Sequence, residues 1–317
     1  MSAPSAPAGI VRLDPRSLRI KRFSALTTMV LPLIGTVVAA YLLVTGRFTV
    51  TDVVLFGLFY CVHLGGVTIG LHRYLAHKAF KTSPWFQDVL MAAGSMAAQG
   101  PLLFWVATHR RHHKFADREG DPHSPNLHGT GFKARMRGLW YAHMPWMLSE
   151  ESSKWSVYAP DMLRERRLIL HHRLYPAWVM AGLVLPAAIG FAVGHTAGSA
   201  LSGLVFGGLA RIFVANQAAW CVGSLCHAFG SRPFDNGDRS TNNWWVAVLT
   251  FGEGLQNNHH AFPGSYRHAT RWWEPDLSGW ALTVLGRLHI VWSLREPSAA
   301  RIAQKRQRTT GAHRVSA

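Results

Sequence analysis

Cysteine is scarce in this chain, and acidic residues are outnumbered. Cys61, Cys221 and Cys226 all fall within apolar stretches. With an odd count and no CxxC spacing, neither a disulfide scaffold nor a thiolate metal site is expected, and the three read as small buried hydrophobes. Charged residues make up only 15% of the chain and hydrophobic ones 49%, well under the usual charged share. The charge leans one way: 33 Lys and Arg against 16 Asp and Glu, a formal +17. Such an excess favours anionic partners, lipid headgroups or coenzyme A phosphates among them. No nucleic-acid-binding module accompanies it, so no nucleic-acid partner is expected.

The mean hydropathy is only +0.07, so the apolar residues must be concentrated in segments. Four stretches approach the roughly 20 residues that cross a bilayer: Phe23–Val44, Val50–Leu71, Leu174–Val193 and Ala197–Val214. A fifth, Val89–Thr108, is interrupted by Gly94, Gln99, Gly100 and Pro101 and reads as an interfacial or re-entrant helix. Arg211 would be costly at mid-bilayer, so it is expected where the fourth span leaves the lipid. The leader carries Arg12, Arg16, Arg19, Lys21 and Arg22, and 15 more Lys and Arg lie between His72 and Arg173, whereas the two short connectors hold only Arg47. Basic residues mark the cytoplasmic side, so both termini and the long middle region are expected there. The predicted fold is all-α and integral to the membrane: four transmembrane helices under a cytosolic helical cap. The predicted organisation is a basic leader over 1–22, a membrane domain over 23–297 and a basic, disordered tail over 298–317. The leader does not read as a cleavable signal, since the apolar run after it is too long.

Three histidine clusters punctuate the polar positions flanking these spans: His72-Arg-Tyr-Leu-Ala-His77, His109-Arg-Arg-His112-His113 and Gln256-Asn-Asn-His259-His260. Five residues subtend about 140° on an ideal helix, so His72 and His77 reach one metal only near a helix end. His109, His112 and His113, at i, i+3 and i+4, share a helical face. Gly252-Glu253-Gly254 gives the third cluster a loop-like lead-in. Any one cluster is weak; three together point to metal. HExxH and Glu-x-x-His are both absent, which argues against a zinc protease and a carboxylate di-iron bundle. Iron or another redox metal bound by neutral imidazoles remains, a chemistry able to attack unactivated C–H bonds.

The arrangement resembles the membrane fatty acid desaturases, in particular the acyl-CoA (stearoyl-CoA, delta-9) type. The resemblance spans roughly Phe23 to Pro297. It rests on HRYLAH, HRRHHKFADREGDPHSP (His109–Pro125), SLCHAFGSRPFD (Ser224–Asp235), GEGLQNNHHAFP (Gly252–Pro263) and RWWEPD (Arg271–Asp276). It implies four spans, a cytosolic centre of two iron ions, O2 and two electrons as co-reactants, and a cis double bond made in a saturated fatty acyl chain held in a narrow bent tunnel. By position the implied iron ligands are His72, His77, His109, His112, His113, His227, His259 and His260. The third box opens with Gln256 where the family usually has His, so the Gln256 amide oxygen is a further candidate. Gly223 stands where this type commonly has an Asn that holds a metal-bound water.

His123 is a candidate to support a ligand, and Trp220 to approach the substrate; loop capping explains the first and packing the second equally well. Asp117 and Asp121 are candidates to support metal-ligating imidazoles, with solvated loop carboxylates as the alternative. His63 reads as a buried structural histidine, and His171 and His172 as interfacial. The acyl carrier is expected to be coenzyme A or a phospholipid, and electrons to come from a separate ferredoxin or flavin reductase. Two rivals share some of these features. A di-iron hydroxylase of acyl chains or alkanes would use the same boxes. A metal transporter would place its ligands at mid-bilayer, whereas here the clusters flank the spans.

Overall fold

The structure, a computed structural model, describes residues 9–315, with side chains through residue 309. Four of its helices are long and apolar enough to cross a membrane: Pro15–Val44, Val50–Ala76, Tyr175–Gly194 and Ala197–His227. Each start has a local cause. Asp14 accepts from the backbone of Arg16 and Ser17 ahead of the first helix, and Thr49 with Asp52 forms a capping box on the second. The first helix begins at Pro15, inside the stretch read as leader. From Phe23 onward its outward side chains are largely apolar, Phe23, Val37 and Tyr41 among them, as suits a lipid-facing surface.

The second and fourth long helices both widen into π turns, over Gly66–Ala76 and Leu204–Ala210. These segments lie at close helix crossings. At Gly66 a Cβ would sit 2.3 Å from the backbone of Ala93, and at Gly207 one would sit 2.6 Å from Cβ of Pro186. Small residues at such crossings let backbones approach closely. The fifth apolar stretch is broken into Pro84–Ser95 and Leu102–Phe115, neither long enough to span. The break is a turn with Ala98 and Gly100 at positive φ.

The polar end of the bundle is a cap of short helices and loops. Strand Ile10–Arg12 pairs antiparallel with Glu151–Ser153, tying the leader to the middle region. The basic end differs from its predicted disorder: Ala299–Val315 is helical. Ile302 packs on the Phe234, Ala261 and Phe262 cluster. Lys305 and Arg306 lie over the Phe262 and Phe234 rings at 5.4 and 5.3 Å. Long basic stems covering aromatic faces give this helix a docking surface that its polar composition hides.

Candidate metal centre and apolar cavity

All eight histidines singled out in the sequence arrive at the polar end of the bundle and divide into two adjacent groups. His72, His77, His109, His113 and His259 form the larger, and His112, His227 and His260 the smaller; within each, the candidate ligand atoms lie within 4.8 Å of one another. The His113 and His260 ring centroids, one from each group, are 4.6 Å apart.

Local structure explains the sorting. In the π turns the chain bonds i to i+5, and the His77 N–H donates to the His72 carbonyl at 3.1 Å. A five-residue spacing that splays on an α-helix is one turn here, so the two rings meet at 4.9 Å. On the helix Leu102–Phe115, His109 and His113 turn to the larger group and His112 to the smaller. One helical face thus serves both groups. The third cluster rides a six-residue helix, Gln256–Ala261, which its asparagines pin down. Asn257 Nδ2 donates to the carbonyls of Phe234 and Ser240 at 2.8 and 3.1 Å, and Asn258 Nδ2 to the His268 carbonyl at 3.0 Å. His259 and His260 consequently face different groups.

Carboxylates set the tautomers of the smaller group. The Nδ1 atoms of His112, His227 and His260 lie 3.0, 2.8 and 2.7 Å from Asp121, Asp117 and Asp238. An Nδ1–H donated to a carboxylate leaves Nε2 as a bare lone pair. The Nε2 atoms of His112 and His227 are buried without a hydrogen-bond partner, as is Oε1 of Gln256. In the larger group only His72 has such an anchor, Glu253. The Nε2 atoms there face one another, His72 to His259 at 3.1 Å, His77 to His109 at 2.7 Å and His259 to His113 at 2.9 Å.

Burial, reinforced by the neighbouring imidazoles, holds His77, His109, His113 and His259 well below the ordinary histidine range. Burial likewise brings His260 down to about 4, against the pull of Asp238. At His112 burial is outweighed by Asp121, and the value rises. Burial would raise the three aspartates, but their hydrogen bonds and charge contacts with histidine lower them. Imidazole nitrogens turned toward one another, with those of His112 and His227 lacking a hydrogen-bond partner, are a donor set suited to iron, zinc or copper.

The remaining predicted residues are nearby. Gln256 Nε2 lies 3.1 Å from His260 Nε2, at the smaller group. The His123 ring stacks on His112 at 4.5 Å, and its Nδ1 would be 3.1 Å from a Cβ at Gly223. Trp220 forms part of a cavity wall. Three residues escaped the sequence reading of the site. In the sequence Glu253 is only part of the loop-like lead-in to the third cluster. Asp238 sits in a polar loop with no spacing to mark it. His268 is a single histidine whose ring lies 4.5 Å from His259 and whose two ring nitrogens are buried without a hydrogen-bond partner.

An apolar cavity opens beside both groups. His72, His109 and His112 form its polar end, while Leu64, Val67, Trp105 and Val222 contribute to its walls. The arrangement sets metal-ready nitrogens at one end of a slot shaped for hydrocarbon.

The sequence matches the family model described as fatty acid desaturase over residues 48–277. It is 40% identical over 293 residues to a hex-5-enoyl-[acyl-carrier protein] acetylenase of Moorena producens, covering 92% of this chain and 91% of that one. An sn-1 stearoyl-lipid 9-desaturase of Anabaena variabilis is 37% identical over 220 residues, 69% of this chain and 75% of that one. An acyl-CoA C20 Delta5-desaturase of Anemone leveillei is 33% identical over 249 residues, 77% and 74% of the two chains. With the match running through all three histidine clusters, the chain belongs to the fatty acid desaturase family.

Proposed function

We propose that this chain is an oxygen-dependent acyl desaturase whose two histidine groups hold two irons and whose apolar cavity holds the acyl chain. One observation carries the reading: the two groups lie side by side at the end of a hydrocarbon-lined slot. Iron bound there would supply dioxygen activation. The protein's own part is positional. Asp117, Asp121, Asp238 and Glu253 hold imidazole tautomers, and the apolar walls exclude water and select which methylenes approach. Two hydrogens leave neighbouring carbons. Together with two electrons and two protons from an external donor they reduce O2 to two waters, leaving an alkene.

The relatives' names favour desaturation over the hydroxylase alternative. They name acyl-carrier protein, lipid and coenzyme A as carriers, so the carrier follows from none of them alone. The acetylenase, similar along nearly its whole length, adds a second reading: a substrate that is already an alkene, oxidised to an alkyne.

The proposed topology places the histidine end in the cytoplasm. The leader strand pairs with the middle region, and the C-terminal helix reaches the third cluster, with Lys305 Nζ donating to the Ala261 carbonyl at 3.1 Å. These are the basic parts of the chain, so one side of the membrane carries the positive excess. That face would also steer an acidic electron carrier, a separate ferredoxin or flavin reductase.

Expression in a host lacking its own desaturase, with fatty-acid profiling by gas chromatography, tests the proposal. A new alkene or alkyne is expected. Stable, iron-loaded protein with a supplied donor and an unchanged lipid profile would sink it, and an alcohol product would favour hydroxylation.

A further inference from the structure

Arg211, expected where the fourth span meets water, is instead fully buried inside the bundle, at 0% exposure. Its guanidinium is held from every side. Nη2 donates to the Gly182 carbonyl at 2.7 Å, Nη1 to the Met96 carbonyl at 2.9 Å, Nε to the Gly207 carbonyl at 2.8 Å, and Nη1 lies 3.3 Å from His63 Nδ1. None of these partners is a carboxylate. Two of the acceptors are made available by the fold. Pro186 has no N–H to bond the carbonyl four residues back, which is that of Gly182. Gly207 lies in the π turns of the fourth helix, where the regular bonding is interrupted. The site is therefore built for a cation, and an intramembrane cation is costly enough to need a purpose.

Its position supplies one. Along the second long helix the cavity wall runs from His72 through Thr68 and Val67 and stops at Leu64. Along the fourth it runs from Gly223 back to Ala219 and stops there. The next turns carry His63 on one helix and Asn216, then Arg211, on the other. Asn216 Oδ1 accepts from Gln99 Nε2 at 2.9 Å, and Gln99 Oε1 accepts from Trp105 Nε1 at 3.0 Å. Hydrogen-bonded polar groups thus close the slot between the two helices that frame it. Most of the wall from His72 to Leu64 lies in the π turns of Gly66–Ala76, so its open length is under about 12 Å, the α-helical rise of about 1.5 Å per residue being an upper bound.

We infer that Arg211, with His63, Asn216 and Gln99, is a polar plug that limits how much acyl chain can extend past the metal groups. The substrate class that fits is a short acyl chain, or one oxidised near its methyl end. This rests on the desaturase reading and narrows it. A longer methyl-side segment would have to displace a buried guanidinium that donates to three backbone carbonyls.

Two measurements on the full-length protein test the plug. In cells lacking a desaturase and fed saturated acids of graded length, the product should carry its unsaturation close to the methyl end. Arg211→Met, at unchanged protein and iron content, should raise the ratio of long- to short-chain product by about tenfold or more. Ala219→Leu, which adds bulk just inside the plug, should shift the ratio the other way. A wild-type product made from stearate at its middle carbons, or a folded Arg211→Met with the wild-type profile, would overturn the inference. The second measurement needs no turnover: thermal stabilisation of purified protein by free fatty acids should be strong for short chains and fade for stearate. Equal stabilisation at all lengths counts against the plug. Length-dependent stabilisation without any product supports it while sinking the desaturase reading.

Discussion

The two histidine groups lie side by side yet are held in opposite ways. In the smaller, each of His112, His227 and His260 donates Nδ1–H to its own aspartate. In the larger, one of five imidazoles, His72, has a carboxylate, and the others are aimed by backbone: the π turns for His77, one helical turn for His109 and His113, and the short helix Gln256–Ala261 for His259. Few ligands with strong anchors stand beside many ligands with weak ones. The contrast implies that the smaller group depends on each member, whereas the larger spreads its hold over several.

Neighbouring histidines on one helix give the sharpest way to break that comparison. His112→Ala removes one of three imidazoles, and His113→Ala one of five. On the proposed two-iron reading, the first is expected to cut bound iron from two per chain to one and take product to background. The second is expected to retain part of the iron and measurable activity. Metal analysis of both variants beside fatty-acid profiling decides it; equal loss of iron in the two would erase the distinction.

Removing an anchor without removing a ligand has a smaller effect. Asp121→Asn and Asp238→Asn keep size and lose charge, so each should weaken metal retention at the smaller group by about 10–100-fold. Glu253→Gln should do less, because four other imidazoles remain around His72. Iron retained against a graded chelator reads the difference directly, and a Glu253 variant as damaged as the aspartate variants would contradict it.

Much of this centre was legible in the sequence, and the reasons differ by residue. His109, His112 and His113 were visible because helical spacing brings them to one face whatever the tertiary fold. His72 and His77 were visible only as a pair, since their joint reach depends on π turns that no spacing rule announces. His227 came from resemblance alone, as a single histidine at the end of a long helix. Asp238 was missed because its partner is distant in sequence, His260 being 22 residues away, and His268 because it is a single histidine outside the three clusters. The four spans showed through composition, but Arg211 did not read correctly. A charge late in an apolar run suggests an exit to water, and only packing reveals carbonyls freed by Pro186 and a π turn. The C-terminal helix was hidden for a related reason: its docking depends on the rings of Phe234 and Phe262, which only the fold brings together.

Gln256 offers the finest adjustment of the comparison. Its amide nitrogen approaches His260 Nε2 at 3.1 Å while its oxygen is buried without a hydrogen-bond partner beside the three-histidine group. An amide oxygen is a weaker donor to iron than an imidazole. Gln256→His should therefore tighten iron at the smaller group and bring its retention closer to that of the larger. Gln256→Leu should loosen it, though less than Asp121→Asn, because no charge is lost. The same chelator titration reads both variants. Identical retention in wild type, Gln256→His and Gln256→Leu would mean that the amide contributes nothing to the metal, and that three anchored imidazoles alone hold that side of the centre.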